Sequence, residues 1–420
     1  YERAFNLTCD YLSFMESEQS VDYQRFSFIP DTSPGLPWIK IRVKGQRIYK
    51  DKKSVINSKF SKLMEFVKGY DKFPLVDTCN HKDEMLSQED LDRHKIRTTF
   101  GSSLQKLFLE TSLFGGQNKK ILEHTDNWIQ YGVVKQYGGF NRMIKKLEKH
   151  PFRWESDCSG WDRVTCLEVV YRIRDRLLKC DKRLFKHVSS FNINPEFVSP
   201  VDGNIYRRAT GVSSGSLNTT TDNSIKHVFI MIYLFSRRLE EIGIVPNLKD
   251  IVDNVELLIY SDDKTGSCNL DFFQFSPSSF LEYECDIYSE FGLIIKPSSQ
   301  VWTIAPVGSR VNVRHSFLGS NCGFTKYGYA PLPRMGMICS SICHEPFRLL
   351  SPQESFIRVF CLTMLAQHTH SAEAFKTYFE WYREKFKFGT SDLGHFAQKF
   401  SGDLIDSYVL YLDFGLEKKI

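Results

Sequence analysis

The run Val255-Glu256-Leu257-Leu258-Ile259-Tyr260-Ser261-Asp262-Asp263-Lys264-Thr265-Gly266-Ser267 decides how the rest of the chain is read. Its first six residues are mostly apolar and too few for a stable helix, so they read as a buried strand. Two adjacent carboxylates then fall where the strand must turn back. Like charges this close raise one another's pKa, so the pair is costly unless something positive sits on it. A divalent cation is the usual remedy, and a solvated acidic turn is the competing reading of the pair by itself.

A second acidic element, Asp157-Cys158-Ser159-Gly160-Trp161-Asp162, follows Phe152 and Trp154 and precedes an amphipathic stretch from Val164 to Leu178. Asp157 is expected to end a strand and point off the sheet edge towards the hairpin at 262. Carboxylates from two separate strands are what two hard cations about 4 Å apart need for in-line phosphoryl displacement. Helix capping is the competing role, better for Asp162 than for Asp157. Between the two elements lies Gly211-Val212-Ser213-Ser214-Gly215, followed by Thr219 and Asn223. Their spacing of four puts Thr219 and Asn223 on one face of a helix that continues through Ile225, Val228 and Phe229. Glycine and small hydroxyl residues let the backbone approach a ligand closely. A Ser/Gly loop with an ordinary N-cap is the alternative, and the position between two acidic elements makes a site.

Outside these elements, 420 residues predict two or three packed subdomains. Hydrophobic content of 42% with 25% charged residues excludes a disordered chain. The net charge of +5 neither demands nor forbids an anionic partner. From Phe152 to Cys322, short apolar runs alternate with longer amphipathic ones, an α+β pattern. Asp31 to Pro37 reads as a rigid loop, because two prolines flank Gly35. After Tyr327 the chain is expected to turn helical, with Ser351 and Glu354 as a capping box and Ser371 starting a helix towards Phe386. The 11 cysteines lack framework spacing, which predicts reduced thiols and a cytosolic setting. The longest apolar run, Val228 to Phe235, falls far short of the roughly 20 residues that span a bilayer, and the N-terminus lacks a signal pattern. Tyr1 in place of Met suggests a piece cut from a longer precursor or an arbitrarily chosen boundary.

The order and spacing of these elements resemble the RNA-dependent RNA polymerases of positive-strand RNA viruses, in the group of sobemo-like, astro-like and nido-like replicases. Asp157 and Asp162 are similar to motif A, Ser214, Gly215, Thr219 and Asn223 to motif B, and Ser261-Asp262-Asp263 to motif C. Upstream, Lys82, Asp83, Glu84, Lys95, Ile96 and Arg97 resemble motif F, and Thr32-Ser33-Pro34-Gly35 resembles motif G. Downstream, Phe291 to Pro297 resembles motif D and His315 to Gly319 motif E. Ser261 departs from the usual glycine of motif C. Gln300 stands near the place where motif D often has a lysine, so Lys296 becomes the candidate proton donor.

The resemblance implies a right-hand polymerase with an antiparallel palm sheet flanked by helices. Fingers would span 1–150 with a return segment at 177–205, palm 151–176 and 206–322, and a helical thumb 323–420. It implies two Mg²⁺ ions, replaceable by Mn²⁺, held by the catalytic Asp157, Asp262 and Asp263. Asp162, Ser214, Gly215, Thr219 and Asn223 would meet the ribose, while Lys82, Glu84, Lys95 and Arg97 would hold the nucleotide. Ser33, Pro34, Gly35, Ser261, Phe317, Leu318 and Gly319 would contact primer or template. The implied partners are an RNA template, a primer or nascent strand, nucleoside triphosphates, a protein primer and other viral replication proteins. The implied location is the host cytoplasm, within a membrane-associated replication complex. A reverse transcriptase also satisfies Tyr260 to Asp263, but commonly has a bulky aromatic where this chain has Asp162. An inactive palm-like RNA-binding protein predicts loss of a metal ligand, and all three are present. A zinc site from Cys339, Cys343 and His344, with Cys322, has poor spacing.

Overall fold

A computed structural model describes residues 1–23, 26, 28, 32–36, 38, 51–72, 74–81, 88–92, 98–135, 138–163, 166–199, 201–209, 211–325, 328–333, 336, 338–339, 341, 350–366 and 372–388. Its centre is an antiparallel sheet of four strands in the order β12 (Val301–Ile304), β4 (Phe152–Glu155), β10 (Asp263–Cys268) and β9 (Val255–Tyr260). Pairing of Asp263 with Tyr260 leaves Ser261 and Asp262 as a two-residue hairpin turn. The sequence reading of 255–260 as a strand holds residue for residue.

Side chains alternate across this sheet and bury both faces. Phe152 and Trp154 stack with centroids 5.8 Å apart, and Phe280 meets Trp154 edge-on at 4.8 Å. Phe280 lies on the helix Pro277–Glu290, which starts at a Ser276–Ser279 capping box with proline in its first turn. The helix Thr219–Glu241 covers the same face, and its Ile225, Val228, Phe229 and Ile232 are fully buried. On the opposite face Leu258 packs with Phe140 and Ile144 of the helix Gly139–Lys146 and with Phe317, Cys322 and Tyr329. Arg153 is also buried, its guanidinium donating to the carbonyls of Leu147, Ser309 and Arg310 at 2.8–3.1 Å. Those three bonds are what make an interior cation tolerable.

Among the described residues four smaller sheets surround this core. One is a three-stranded meander, β13 (Ser316–Phe317), β14 (Ser320–Thr325) and β15 (Gly328–Pro333). A short ladder joins β5 (Cys158–Ser159) to β11 (Ile294–Ile295), and a parallel pair joins β1 (Ser17–Glu18) to β6 (Leu178–Lys179). The fourth runs β3 (Thr98–Gly101), β2 (Asp77–His81), β7 (Glu196–Val198), β8 (Ile205–Arg207), with β2 and β7 parallel. Beside it a second apolar core gathers the helices Lys52–Lys68, Leu104–Glu123 and Lys182–Ile193.

Several expectations need correction. Within residues 1–150, Phe5, Cys9, Leu12, Trp128 and Ile129 belong to the core of the central sheet. Gly328–Pro333 is a strand, not the start of helical structure, and a boundary at 322 cuts β14. Pro331 and Pro333 spoke against a strand in the sequence, but β15 is an edge strand, which tolerates proline. The helix expected from Val164 to Leu178 runs Leu167–Arg176. The Ser351–Glu354 capping box is present, with each backbone N–H donating to the other's side chain at 2.9 and 3.2 Å. Ser371, Cys343 and His344 lie outside the described residues. The ten described cysteines are free, and no described helix is long and apolar enough to cross a membrane.

Gly266 sits in the middle of β10, where an added Cβ would meet Leu257 Cδ2 at 2.6 Å and Trp154 Cη2 at 2.7 Å. Gly266→Val is therefore expected to destabilise the fold by about 1–3 kcal/mol through overpacking. Chemical denaturation measures this, and an unchanged midpoint contradicts the packing described.

Candidate active site

The Ser261-Asp262 turn brings together everything else at the site. Ser261 has φ +60°, a left-handed conformation that glycine adopts freely and serine only with strain. A hairpin turn with positive φ at its first central residue ordinarily selects glycine there. The strain is offset by one helix, Thr219–Glu241, which engages every polar group of Ser261. Its N–H donates to Ser224 Oγ at 2.9 Å, its Oγ accepts from Asn223 Nδ2 at 3.3 Å, and its carbonyl lies 3.2 Å from His227 Nδ1. Burial, with Lys264 nearby, keeps His227 neutral by lowering its pKa far below the usual imidazole range. A neutral ring has one donor and one acceptor. Nδ1–H therefore donates to Ser261, and Nε2 accepts from the Tyr288 hydroxyl at 2.7 Å.

Asn223 also donates to Asp162 Oδ1 at 3.0 Å, which joins motif A-like and motif B-like residues in one contact. Asp157 is fixed by its backbone: its N–H donates to Ser299 Oγ at 3.0 Å, and its carbonyl accepts from Lys296 N–H at 3.1 Å. The pairing of Ile294 and Ile295 with β5 sets that position. Asp157, Asp262 and Asp263 line one cleft of about 460 Å³ with Glu155, Lys264 and Gly319. Desolvation within the cleft, reinforced by Asp162 and Asp157, pushes the Asp262 carboxyl above the usual range. Asp263 is raised to about 6, first by burial and then by Asp262 and Asp157, against a hydrogen bond at 2.6 Å from Leu318 N–H.

Hard carboxylate oxygens from two chain segments on one cleft suit a divalent cation. Among the described residues, however, no three such groups stand close enough to enclose an ion unaided. Asp157 Oδ2 pairs instead with Lys296 Nζ at 2.5 Å. Both side chains are about half exposed, and an ion pair of that kind contributes only about 0–1 kcal/mol, so a dication can displace it.

Other predicted residues serve the frame. The Thr219 hydroxyl donates to the carbonyls of Ser213 and Ser216 at 2.7 and 3.0 Å, so it closes the loop rather than facing a ligand. Ser214 Oγ accepts from Phe100 N–H at 2.8 Å, and a Cβ at Gly215 would lie 2.1 Å from Phe100 O. That loop is thus docked on β3. Phe317 is buried with Tyr329, whereas Ser316 and Gly319 of the His315–Gly319 segment border the cleft. Pro34 and Gly35 are buried, the carbonyl of Pro34 accepting from Leu104 N–H at 2.9 Å, while Thr32 and Ser33 are exposed. Lys82, Glu84, Lys95 and Arg97 lie outside the described residues.

Sequence reasoning missed the charged residues that carry the loop. Ser213 Oγ donates to Asp77 at 2.5 Å, while Ser216 Oγ and Leu217 N–H donate to Glu110 at 2.8 and 3.0 Å. Lys106 lies 3.2 Å from Asp77 and 3.9 Å from Glu110, all three fully buried. Arg174 pairs with Asp222 at 2.6 Å beneath the same helix. Arginine and lysine within otherwise apolar helices were the available signal.

A sequence model of the family described as Viral RNA-dependent RNA polymerase matches residues 6–385. Over 259 residues the chain is 25% identical to Non-structural polyprotein 1AB of Avian nephritis virus 1, covering 59% of this chain and 16% of that protein. Over 306 residues it is 22% identical to Non-structural polyprotein 1AB of Mink astrovirus 1, covering 68% and 21%. The chain thus matches about a fifth of the length of these curated relatives. It belongs to the viral RNA-dependent RNA polymerase family, the class its motifs resemble, the RNA-directed RNA polymerases of positive-strand RNA viruses.

Two outcomes follow. Ser261→Gly removes strain whereas Ser261→Ala keeps it and loses the hydroxyl, so the glycine variant is expected to be more stable by about 1 kcal/mol on denaturation. Asp263 has a folded pKa near 6 against 3.8 for the free group, so without metal its stabilising contribution is full at low pH and is lost as pH rises through about 6. In EDTA, wild type should therefore lose stability relative to Asp263→Asn between about pH 4 and 7; parallel curves contradict the assignment.

Proposed function

We propose that the chain copies a viral RNA template into RNA by two-metal nucleotidyl transfer, with Asp157 and Asp262 as the principal ligands and Asp263 in support. The observation that carries this reading is the shared cleft of Asp157, Asp262 and Asp263, beside the Asp162–Asn223 contact. Bound divalent cations, Mg²⁺ or Mn²⁺, would lower the pKa of a primer 3′-hydroxyl and offset charge on the triphosphate. The protein's part is positioning and electrostatics. Asp157 would leave Lys296 to hold a cation, and the freed ammonium, still tethered by backbone bonds, would be available to pyrophosphate as a proton donor. Asp162 accepts from the ribose 2′-hydroxyl and Asn223 supports it, with Ser214 at the edge of the same loop. Lys82, Lys95 and Arg97, with Glu84, serve the triphosphate.

In this reading the central sheet is the palm, the four-stranded β3-β2-β7-β8 sheet and its helices are the fingers, and the helices Pro352–Ala366 and Ala372–Phe386 belong to the thumb. The chain would act as the polymerase part of a polyprotein during genome replication in host cytoplasm, with other replication proteins as partners. A reverse transcriptase is disfavoured because the residue five beyond Asp157 is an acceptor already oriented by Asn223, not a ring that blocks the 2′-hydroxyl.

The test is extension of a labelled RNA primer on an RNA template with Mg²⁺. Wild type is expected to extend with ribonucleotides, and Asp262→Ala to fall at least about a hundredfold. Asp162→Ala should lose about tenfold of the preference for ribo- over deoxyribonucleotides. Equal extension by Asp262→Ala, or preference for deoxynucleotides in wild type, overturns the proposal.

A further inference from the structure

We infer that Lys135 is a positioning residue for the polymerase reaction, fixing Asp263 by holding the Leu318 turn against it. The inference deepens the polymerase reading and rests on it for the role of Asp263. Leu318 has φ +52°, a left-handed conformation that a leucine rarely adopts and that persists only where its surroundings impose it. Both of its backbone polar groups are held by charged side chains. Its N–H donates to Asp263 Oδ2 at 2.6 Å, and its carbonyl accepts from Lys135 Nζ at 2.9 Å. Lys135 also donates to Ser320 Oγ at 3.0 Å, so one ammonium spans the turn between β13 and β14. Neutral partners could make either bond singly; an anion on one side and a cation on the other polarise the same peptide backbone in the same sense.

The position of Lys135 is itself tied to the catalytic hairpin. Ile259 N–H donates to Trp128 O, and Gln130 N–H donates to Ile259 O, both at 2.8 Å. Residues 128–130 therefore ride along β9 just before Ser261, Asp262 and Asp263, and Tyr131 packs against Tyr260 with centroids 6.1 Å apart. The chain then turns at Gly132, where φ is +95°, and delivers Lys135 to Leu318. Displacement of the hairpin moves Lys135 with it, so Asp263, Leu318 and Lys135 form a closed mechanical loop. Its output is the orientation of Asp263 and the placing of Gly319 on the cleft.

The experiment uses the full chain and four proteins: wild type, Lys135→Arg, Lys135→Met, and Lys135→Met with Leu318→Gly. Primer extension with Mg²⁺ should show kcat about tenfold lower for Lys135→Met with nucleotide KM within about twofold, and near-wild-type values for Lys135→Arg. Glycine holds a positive φ without support, so Leu318→Gly should recover most of the loss. Hydrogen exchange in EDTA should show the Leu318 amide opening about tenfold faster in Lys135→Met, with Ile259 unchanged. Wild-type kcat and exchange in Lys135→Met, or no recovery by glycine, overturns the inference. Absence of extension by wild type would instead overturn the polymerase reading, while the exchange arm still reports on the Lys135–Leu318 link.

Discussion

Repulsion among Asp157, Asp262 and Asp263, which face one cleft, is the constraint to which the surrounding structure answers. Without a dication each carboxylate needs its own counterpart, and the three are served differently. Asp157 takes Lys296, Asp263 takes the Leu318 N–H with Lys135 beyond it, and Asp262 is left accessible with a raised pKa. The three solutions differ in strength. The half-exposed Lys296 pair is weak, while the Asp263 contact sits on a strained turn stitched from both sides. Divalent ions would therefore change Asp157 first and Asp263 least, so a pre-set half of the site awaits a movable half.

The helix Thr219–Glu241 makes that arrangement specific. Asn223, Ser224 and His227 hold the Ser261 turn, and Asn223 reaches across to Asp162. The helix start is in turn docked through Ser213, Ser216 and Leu217 on the buried Asp77, Lys106 and Glu110. Removal of one member of such a buried set leaves an unpaired interior charge, which costs far more than the pair contributes. The two apolar cores are thus joined by polar groups whose geometry admits one placement of the loop relative to the catalytic turn.

The hairpin at 255–268 was legible because a short apolar run, a pair of carboxylates and a returning strand admit few other structures. Asn223 was legible from its spacing to the loop. Thr219 was placed on the right helix, but spacing states which face a side chain shares and not that its hydroxyl donates to the Ser213 carbonyl. The burial of Phe317 was hidden for a related reason: the alternation that makes a strand also turns every second residue into the core. Lys135 and Asp77 carried no local mark, since their partners stand 29 to 185 residues away, and Lys106 was marked only as a lysine within an apolar helix. The serine at 261 was noticed as a departure, but only the backbone explains it: a left-handed φ that other contacts sustain.

The measurement that bears most directly on this account is a crystal structure of the chain with RNA primer, template, a nonhydrolysable triphosphate and Mn²⁺, read by anomalous scattering. The account predicts Mn²⁺ peaks bonded to both Asp157 and Asp262, with the Lys296 ammonium released from Asp157. Manganese bound elsewhere, with Asp157 still paired to Lys296 in the presence of substrate, would contradict it.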